Sequence, residues 1–285
     1  MLRQRFYATL SPHYLQGELQ SLYHWCVQEI HGWSRAEVYS RNEEEVPEPA
    51  QGTWESVMAR LAEFVPIQYI FNKAPFFDFE LYVDENVLIP RPETEELVQL
   101  LLDENDGKEL GVLDIGTGSG CIPIAIKKAR PNWNVSGCDI SEGALNVARK
   151  NSDLLKLDVD FYHADASNMG ELKGVDIIIS NPPYIPVDRK ETLEQNVLEH
   201  EPHLALFSPE SDPFYFFRVI TQLAEKSDVK SVYFETHATE MDDLLAALRP
   251  LWPGSIRLAK DIGGKERFVV LNIEESKSKD PKDVR

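Results

Sequence analysis

Residues 176 to 184 carry the sequence Asp176-Ile177-Ile178-Ile179-Ser180-Asn181-Pro182-Pro183-Tyr184. The isoleucine run followed by a double proline predicts a buried strand that ends abruptly, because proline cannot extend a central ladder. The chain therefore leaves the sheet at Asn181. That point is the carboxyl edge of the strand, where ligands bind in open α/β sheets.

The turn after this strand offers acceptors and almost no donors. Pro182 and Pro183 have no backbone N–H, Asn181 adds a side-chain carbonyl, and Tyr184 adds an aromatic face with a polar tip. Such a turn suits a planar NH2 group, of the kind found in adenine, cytosine and the glutamine amide. Asn and Pro are also ordinary turn formers, and the tetrapeptide alone favours that simpler interpretation.

A glycine-rich stretch upstream changes the balance between these interpretations. It runs Val112-Leu113-Asp114-Ile115-Gly116-Thr117-Gly118-Ser119-Gly120-Cys121-Ile122, an apolar strand that enters a helix through a tight turn. The spacing differs from Gly-x-Gly-x-x-Gly, and the loop has no basic residue for a pyrophosphate. Asp139 ends the next apolar strand about 20 residues on, where an acid can bind ribose hydroxyls. Nucleoside recognition without phosphate recognition indicates S-adenosylmethionine.

These motifs together resemble the class I methyltransferases that modify planar nitrogens. The similarity extends to Ile89-Pro90-Arg91-Pro92-Glu93-Thr94-Glu95 and to Glu201-Pro202 followed by Ala205-Leu206. With them the chain, from about Pro66 to Leu271, resembles the HemK-type family, which methylates the glutamine side-chain amide of peptide chain release factors. The resemblance implies S-adenosylmethionine as cofactor and the glutamine of a Gly-Gly-Gln loop as substrate.

Motif and resemblance together give a set of candidate site residues. The catalytic candidates are Asn181, Pro182 and Tyr184, and the substrate-binding candidates add Pro183. The resemblance also places adenine-binding residues after the third strand. Some related enzymes have an aromatic residue at the position of Ala166, and the alanine cannot stack on adenine as such a ring would. The cofactor-binding candidates are Asp114, Gly116, Thr117, Gly118, Ser119, Gly120, Asp139, Asp165, Ala166 and Asn181.

Hydrophobic periodicity predicts an α/β fold with a doubly wound, mostly parallel sheet of seven strands. The strands lie near 111–115, 134–139, 158–163, 175–180, 230–235, 255–260 and 266–272, and the helices near 121–130, 142–153, 213–226 and 238–249. The last two strands are joined too closely for a parallel crossover, which predicts an antiparallel hairpin at the edge.

The same patterns divide the chain into four parts. Residues 1–74 are predicted to form a small helical domain that docks the substrate, with 42–52 as a loop. Residues 75–90 are predicted to form a linking β-hairpin that turns at Asp84-Glu85-Asn86. Residues 91–273 are predicted to form the methyltransferase domain, and residues 274–285 are predicted to form a disordered tail.

Composition narrows the possible classes of function. The net charge of −19 disfavours an enzyme that grips duplex DNA, because phosphate backbones are bound by Lys and Arg. The three cysteines, Cys26, Cys121 and Cys138, show neither disulfide nor zinc-site spacing, so we expect no metal and a reducing cytoplasm. We also expect no membrane span, no nucleic-acid partner and a monomer.

Three functions remain in competition. The first is methylation of a release factor glutamine, and the second is methylation of the amino group of adenine or cytosine in nucleic acid through the same turn. The third is a non-catalytic protein that binds S-adenosylmethionine. Net charge favours the first over the second, and the intact Asn181-Pro182-Pro183-Tyr184 turn counts against the third.

Overall fold

A computed structural model describes residues 2–40, 48–106, 109–209, 212–237 and 241–273. The predicted disordered tail, residues 274–285, lies outside the described residues, as does the first part of the predicted 42–52 loop. No helix in the described ranges is both long enough and apolar enough to cross a membrane.

The chain begins with five helices that share an apolar cluster of their own. They are α1 (Leu2–Leu10), α2 (Gln16–His31), α3 (Arg35–Ser40), α4 (Glu48–Ala62) and α5 (Ile67–Phe71). Phe6 and Trp54 are buried at the centre of this cluster. The indole nitrogen of Trp54 donates to His31 Nε2 over 2.9 Å, so His31 joins α2 to α4. Residues 48–52 are helical, which corrects the predicted loop.

A short antiparallel hairpin follows, formed by β1 (Ala74–Phe76) and β2 (Phe79–Leu81). Its turn lies at Phe77 and Asp78, and Phe77 has a φ of 50°. The chain does turn at residues 84–86, where the N–H of Val87 donates to the carbonyl of Asp84 over 3.1 Å, but this is not the turn of the hairpin. The predicted returning strand at 87–89 is wrong, because none of the described strands includes these residues. Two hydrogen bonds tie the segment after the hairpin to the end of α5. Tyr69 Oη donates to the carbonyl of Val87 over 2.6 Å, and Asn72 Nδ2 donates to the carbonyl of Val83 over 2.9 Å.

Among the described residues, seven strands form the main sheet. They are β3 (Gly111–Ile115), β4 (Asn134–Asp139), β5 (Asp160–His163), β6 (Ile177–Ser180), β7 (Ser231–Glu235), β8 (Ser255–Lys260) and β9 (Glu266–Asn272). Their order is β5-β4-β3-β6-β7-β9-β8, and β9 runs in the direction opposite to that of the other six. The predicted seven-stranded, mostly parallel sheet with an antiparallel hairpin at its edge is confirmed.

Seven further α-helices lie among the described residues after the hairpin. They are α6 (Pro92–Glu104), α7 (Cys121–Ala129), α8 (Glu142–Leu155), α9 (Gln195–His200), α10 (His203–Leu206), α11 (Tyr215–Glu225) and α12 (Met241–Leu248). One apolar cluster joins the sheet to α6, α7 and α8, and a second joins it to α11 and α12. The strand order reverses between β3 and β6, so the carboxyl ends of these two strands flank the switch point where ligands bind in such folds.

Candidate active site

A cavity of about 340 Å³ opens at the carboxyl edge of the sheet, between the ends of β3 and β6. The loop after β3, the acid that ends β4 and the turn after β6 all line it, because parallel strands deliver their following loops to one edge. The cavity brings together most of the predicted site residues, namely Gly116, Thr117, Gly118, Ser119, Asp139, Asp165, Ala166, Asn181, Pro182 and Pro183. Asp114, Gly120 and Tyr184 are not among its lining residues in the part of the chain described.

The loop after β3 is held open by backbone geometry and by one carboxylate. Gly118 has a φ of 53°, and a Cβ built on it would meet nothing within 4 Å. Its N–H donates to Asp139 Oδ2 over 2.9 Å, and the N–H of Ser141 donates to Oδ1 of the same carboxylate over 2.9 Å. Asp139 therefore fixes the loop as well as lining the cavity. Burial raises its pKa, while these backbone N–H donors act in the opposite direction.

Two acids lie beneath and beside this loop. Asp114 is fully buried beneath it, and burial raises its pKa to about 7, while a hydrogen bond from the Thr117 hydroxyl acts in the opposite direction. Asp139 lines the cavity itself. A nearby positive charge lowers the cost of keeping buried carboxylates ionised. The two acids therefore favour a cationic ligand in the cavity, and the sulfonium and ammonium groups of S-adenosylmethionine are cations.

The wall after β5 combines a capped turn with apolar surface. Asp165 Oδ1 accepts from the N–H of Ser167 over 2.9 Å, so this carboxylate caps the turn formed by Ala166–Asn168. Ile140, which follows Asp139, is 47% exposed and lines the same cavity as Ala166. An apolar pair of this kind can pack against a flat base without an aromatic ring. Ile140 was not among the predicted residues, and its exposed fraction is visible only in the folded chain.

The Asn181 side chain is hydrogen-bonded to Thr94, which is itself hydrogen-bonded to Glu235. Asn181 Nδ2 donates to Thr94 Oγ1 over 3.3 Å, and Thr94 Oγ1 donates to Glu235 Oε2 over 2.7 Å. Thr94 lies in the first turn of α6 and Glu235 ends β7, the strand paired with β6. The motifs quoted above include Thr94 but not Glu235. Its sequence signal is an acid at the carboxyl end of a buried strand, the same signal that marks Asp139.

Tyr184 packs beside the turn and does not line the cavity. Its half-buried ring lies against the apolar cluster that contains α11 and α12. Burial raises the pKa of Tyr184 to about 12, with Glu235 adding to the effect, so the phenol is neutral at physiological pH. Its predicted part in substrate binding stays a prediction.

An ion pair joins the segment before α6 to the segment after the Asn181 turn. Arg91 Nη2 lies 2.6 Å from Glu201 Oε1, and the N–H of Ile89 donates to Glu201 Oε2 over 3.2 Å. The Glu201 side chain is only 1% exposed. Pro202, the residue immediately before α10, lines the cavity, as Arg91 does. The pair thus joins two segments that are far apart in sequence and that both contribute to the cavity wall.

The cysteines offer no nucleophile to this site. Cys26, Cys121 and Cys138 are free and buried. Cys121 lines the cavity, but burial raises the pKa of its thiol to about 12, so the reactive thiolate is scarce. Cys121 is better explained as a small packing residue at the start of α7, where it belongs to a buried apolar cluster.

Comparisons with known proteins agree along nearly the whole chain. A family model described as the PrmC N-terminal domain matches residues 2–71, and one described as the methyltransferase small domain matches residues 93–204. The release factor glutamine methyltransferase of Flavobacterium psychrophilum is 37% identical over 95% of this chain and 98% of its own. That of Bacteroides thetaiotaomicron is 42% identical over 76% of this chain and 80% of its own.

Solved structures support the fold. The hMettl16 catalytic domain, solved in complex with MAT2A 3'UTR hairpin 1, covers 69% of this chain and 76% of its own, with a TM-score of 0.54. Its sequence identity to this chain is 16%, so the likeness concerns the fold alone.

Proposed function

The chain belongs to the release factor glutamine methyltransferase family, and we propose that it methylates the side-chain amide of a glutamine in peptide chain release factors. The enzyme uses S-adenosylmethionine, a cation that suits the two acids Asp114 and Asp139 at the glycine loop. We propose the glutamine of a Gly-Gly-Gln loop as the target, since a flexible loop can enter an opening that excludes a helix.

The observation that carries the proposal is that one cavity is lined by both the glycine loop and the Asn181-Pro182-Pro183 turn. Methyl transfer needs a donor site and an acceptor site in contact, because positioning the two reactants supplies much of the rate enhancement. A cofactor site alone would support only binding. The two loops in one cavity support a transferase.

The roles of the turn residues follow from the chemistry of the amide. An amide nitrogen is a poor nucleophile, because its lone pair is delocalised into the carbonyl. When bound, S-adenosylmethionine supplies an activated methyl group on a sulfonium. We assign the Asn181 side-chain oxygen and the Pro182 carbonyl as acceptors for the NH2 hydrogens. Acceptors fixed in advance stabilise the positive charge that develops on the nitrogen. Pro183 and Tyr184 are assigned to the walls around the planar group.

No dedicated base is needed before transfer in this account. The substrate nitrogen becomes acidic only as it gains the methyl group, so its proton can leave afterwards. Arg91 and Glu201 support the wall that excludes water, which strengthens the hydrogen bonds inside. The remaining cofactor-binding candidates, including Gly120, Asp165 and Ala166, stay proposals of this scheme.

The finer biological setting also belongs to the proposal. We expect a cytoplasmic monomer that binds release factors directly and does not bind nucleic acid. The helices within residues 2–71 are proposed to dock the release factor, because remote contacts can supply binding energy that positions a small reacting group.

The competing function is methylation of an amino group in nucleic acid. The same Asn181-Pro182-Pro183 turn could accept the amino group of adenine or cytosine. The net charge of −19 favours the protein substrate, because nucleic-acid affinity relies on neutralising phosphates with Lys and Arg.

The test is transfer of a labelled methyl group to three substrates side by side. They are an intact release factor, the same factor with its loop glutamine changed to alanine, and duplex DNA. We expect label on the intact factor alone. Label on the alanine variant, or preferentially on DNA, would overturn the proposal and favour its rival.

A further inference from the structure

We infer that Thr94 and Glu235 are positioning residues that fix the orientation of the Asn181 amide so that its oxygen, not its NH2, is presented to the substrate. The inference deepens the proposed function and rests on it for its kinetic readouts. It starts from two hydrogen bonds, Asn181 Nδ2 to Thr94 Oγ1 at 3.3 Å and Thr94 Oγ1 to Glu235 Oε2 at 2.7 Å.

The orientation of the Asn181 amide matters because its two ends have opposite properties. The oxygen accepts hydrogen bonds, and the NH2 group donates them. A substrate NH2 group needs hydrogen-bond acceptors. If the Asn181 amide were rotated by 180° about its last side-chain torsion, its NH2 group would face the substrate NH2 group, and neither could accept. The two ends have nearly the same shape, so packing alone does not distinguish them.

The hydroxyl of Thr94 can make this distinction because it has a single proton. An ionised carboxylate can only accept hydrogen bonds, so the Thr94 hydroxyl uses its single proton to donate a hydrogen bond to Glu235. The Thr94 oxygen then offers only lone pairs to Asn181, and only the NH2 end of the amide can face it. The amide oxygen is left for the substrate. The direction of one hydrogen bond thus sets the direction of the next.

Burial of Thr94 and Glu235 strengthens the preference for this one amide orientation. Thr94 and Glu235 are each only 3% exposed, so water competes little for either group. The three side chains come from α6, β7 and the turn after β6. Pairing of Ser180 with Phe234 brings the ends of β6 and β7 together, and α6 packs against β7. Hydrogen bonds in series also polarise one another, so a charged end strengthens the whole chain.

The relay requires Glu235 in its ionised form. A protonated carboxyl could donate to Thr94, and the freed hydroxyl proton could then turn to the oxygen of Asn181. Burial raises the pKa of Glu235 to about 7, while the hydrogen bond from Thr94 lowers it. Other titratable groups also act on Glu235 or are acted on by it: Glu93 raises its pKa, Arg267 and Arg91 lower it, and Tyr184 and Cys121 respond to its charge.

The main test compares Thr94→Val with Thr94→Ser. Valine keeps the shape of threonine without the hydroxyl, whereas serine keeps the hydroxyl. We expect Thr94→Val to lower kcat about tenfold or more, less than the about 10²–10³ typical of removing a group that contacts the reacting atoms. Thr94→Ser should recover most of kcat. Equal activity of the Val and Ser variants would overturn the inference.

Thr221→Val is a matched control for this pair. Thr221 is fully buried in α11, and its hydroxyl has no partner among the described residues. The same substitution there should leave kcat unchanged. If Thr221→Val lowers kcat as much as Thr94→Val, the loss comes from repacking and the inference fails.

The pH profile separates positioning from mere structure. As pH falls through the pKa of Glu235, near 7, the wild type should lose kcat with a slope of one. In Glu235→Gln this loss of kcat at low pH should be absent, and kcat should stay constant with pH at a value below that of the wild type. A loss of kcat at low pH that persists unchanged in Glu235→Gln would contradict the inference.

A direct readout keeps the inference testable if the proposed function is wrong. A wild type that transfers no methyl group to a release factor defeats the proposed function. The NMR signals of the Asn181 side-chain NH2, assigned by their loss in Asn181→Asp, still report on the relay. We expect slow exchange of these protons with water in wild type and Thr94→Ser, and fast exchange in Thr94→Val. Equal exchange in all three proteins would overturn the relay.

Discussion

Two glycines of one loop should respond differently to the same substitution, one mainly in stability and the other mainly in cofactor binding. Gly118 and Gly120 both have positive φ, 53° and 78°, so alanine costs about 1–2 kcal/mol of backbone strain at either position. The surroundings differ. A Cβ at Gly120 would lie 3.0 Å from Phe161 Cζ and 3.1 Å from Ala148 Cβ, whereas a Cβ at Gly118 meets nothing within 4 Å.

Overpacking of a core adds about 1–3 kcal/mol, and it applies only to Gly120. We therefore expect Gly120→Ala to lower the free energy of unfolding by about 2–5 kcal/mol and Gly118→Ala by about 1–2 kcal/mol. At Gly118, which lines the cavity, the added methyl group should instead weaken cofactor binding about tenfold.

The assay pairs urea unfolding of the cofactor-free protein with calorimetric titration of S-adenosylmethionine. Gly120→Ala should move the unfolding midpoint most, and Gly118→Ala should move the dissociation constant most. Equal destabilisation by both variants, or weaker binding in Gly120→Ala at unchanged stability, would refute the packing role of Gly120.

Three further predictions concern the polar groups. Asn181→Ala should lower kcat by about 10²–10³ with little change in cofactor affinity, and normal single-turnover rates would contradict the acceptor role. Asp139→Ala should weaken S-adenosylmethionine binding by about 1.5–3 kcal/mol in calorimetry, through lost ribose acceptors and a loosened loop, and unchanged binding would defeat the assignment. The raised pKa of Glu235 favours the folded state at low pH, so stability relative to Glu235→Gln should fall by up to about 3 kcal/mol as pH rises from about 4.5 to about 7. Urea unfolding that gives a constant difference across this window would contradict the shift.

The sequence predicts the sheet well because its strands carry strong local signals. The isoleucine run before Asn181 and the apolar run before Gly116 are both strands, and each ends at the predicted edge. The hairpin is predicted in the right region but with the wrong turn. Alternation across Phe77, Phe79 and Leu81 suggests one continuous strand, and the positive φ that breaks it at Phe77 belongs to a residue type that seldom adopts it.

The site is predictable only as far as its residues share motifs. Asp139 and Asn181 follow strands whose patterns mark them, and the fold brings both to one cavity. Glu235 lies 54 positions after Asn181 in the sequence, and no local pattern links the two. The relay through Thr94 arises from packing among α6, β6 and β7, which the sequence does not display.

The most direct test of the whole account is peptide mass mapping of an intact release factor after incubation with this enzyme and S-adenosylmethionine. The account predicts a single added methyl group on the side-chain amide of the glutamine in the Gly-Gly-Gln loop, present with wild type and nearly absent with Asn181→Ala. An unmodified loop glutamine, or a methyl group on another residue, would contradict it.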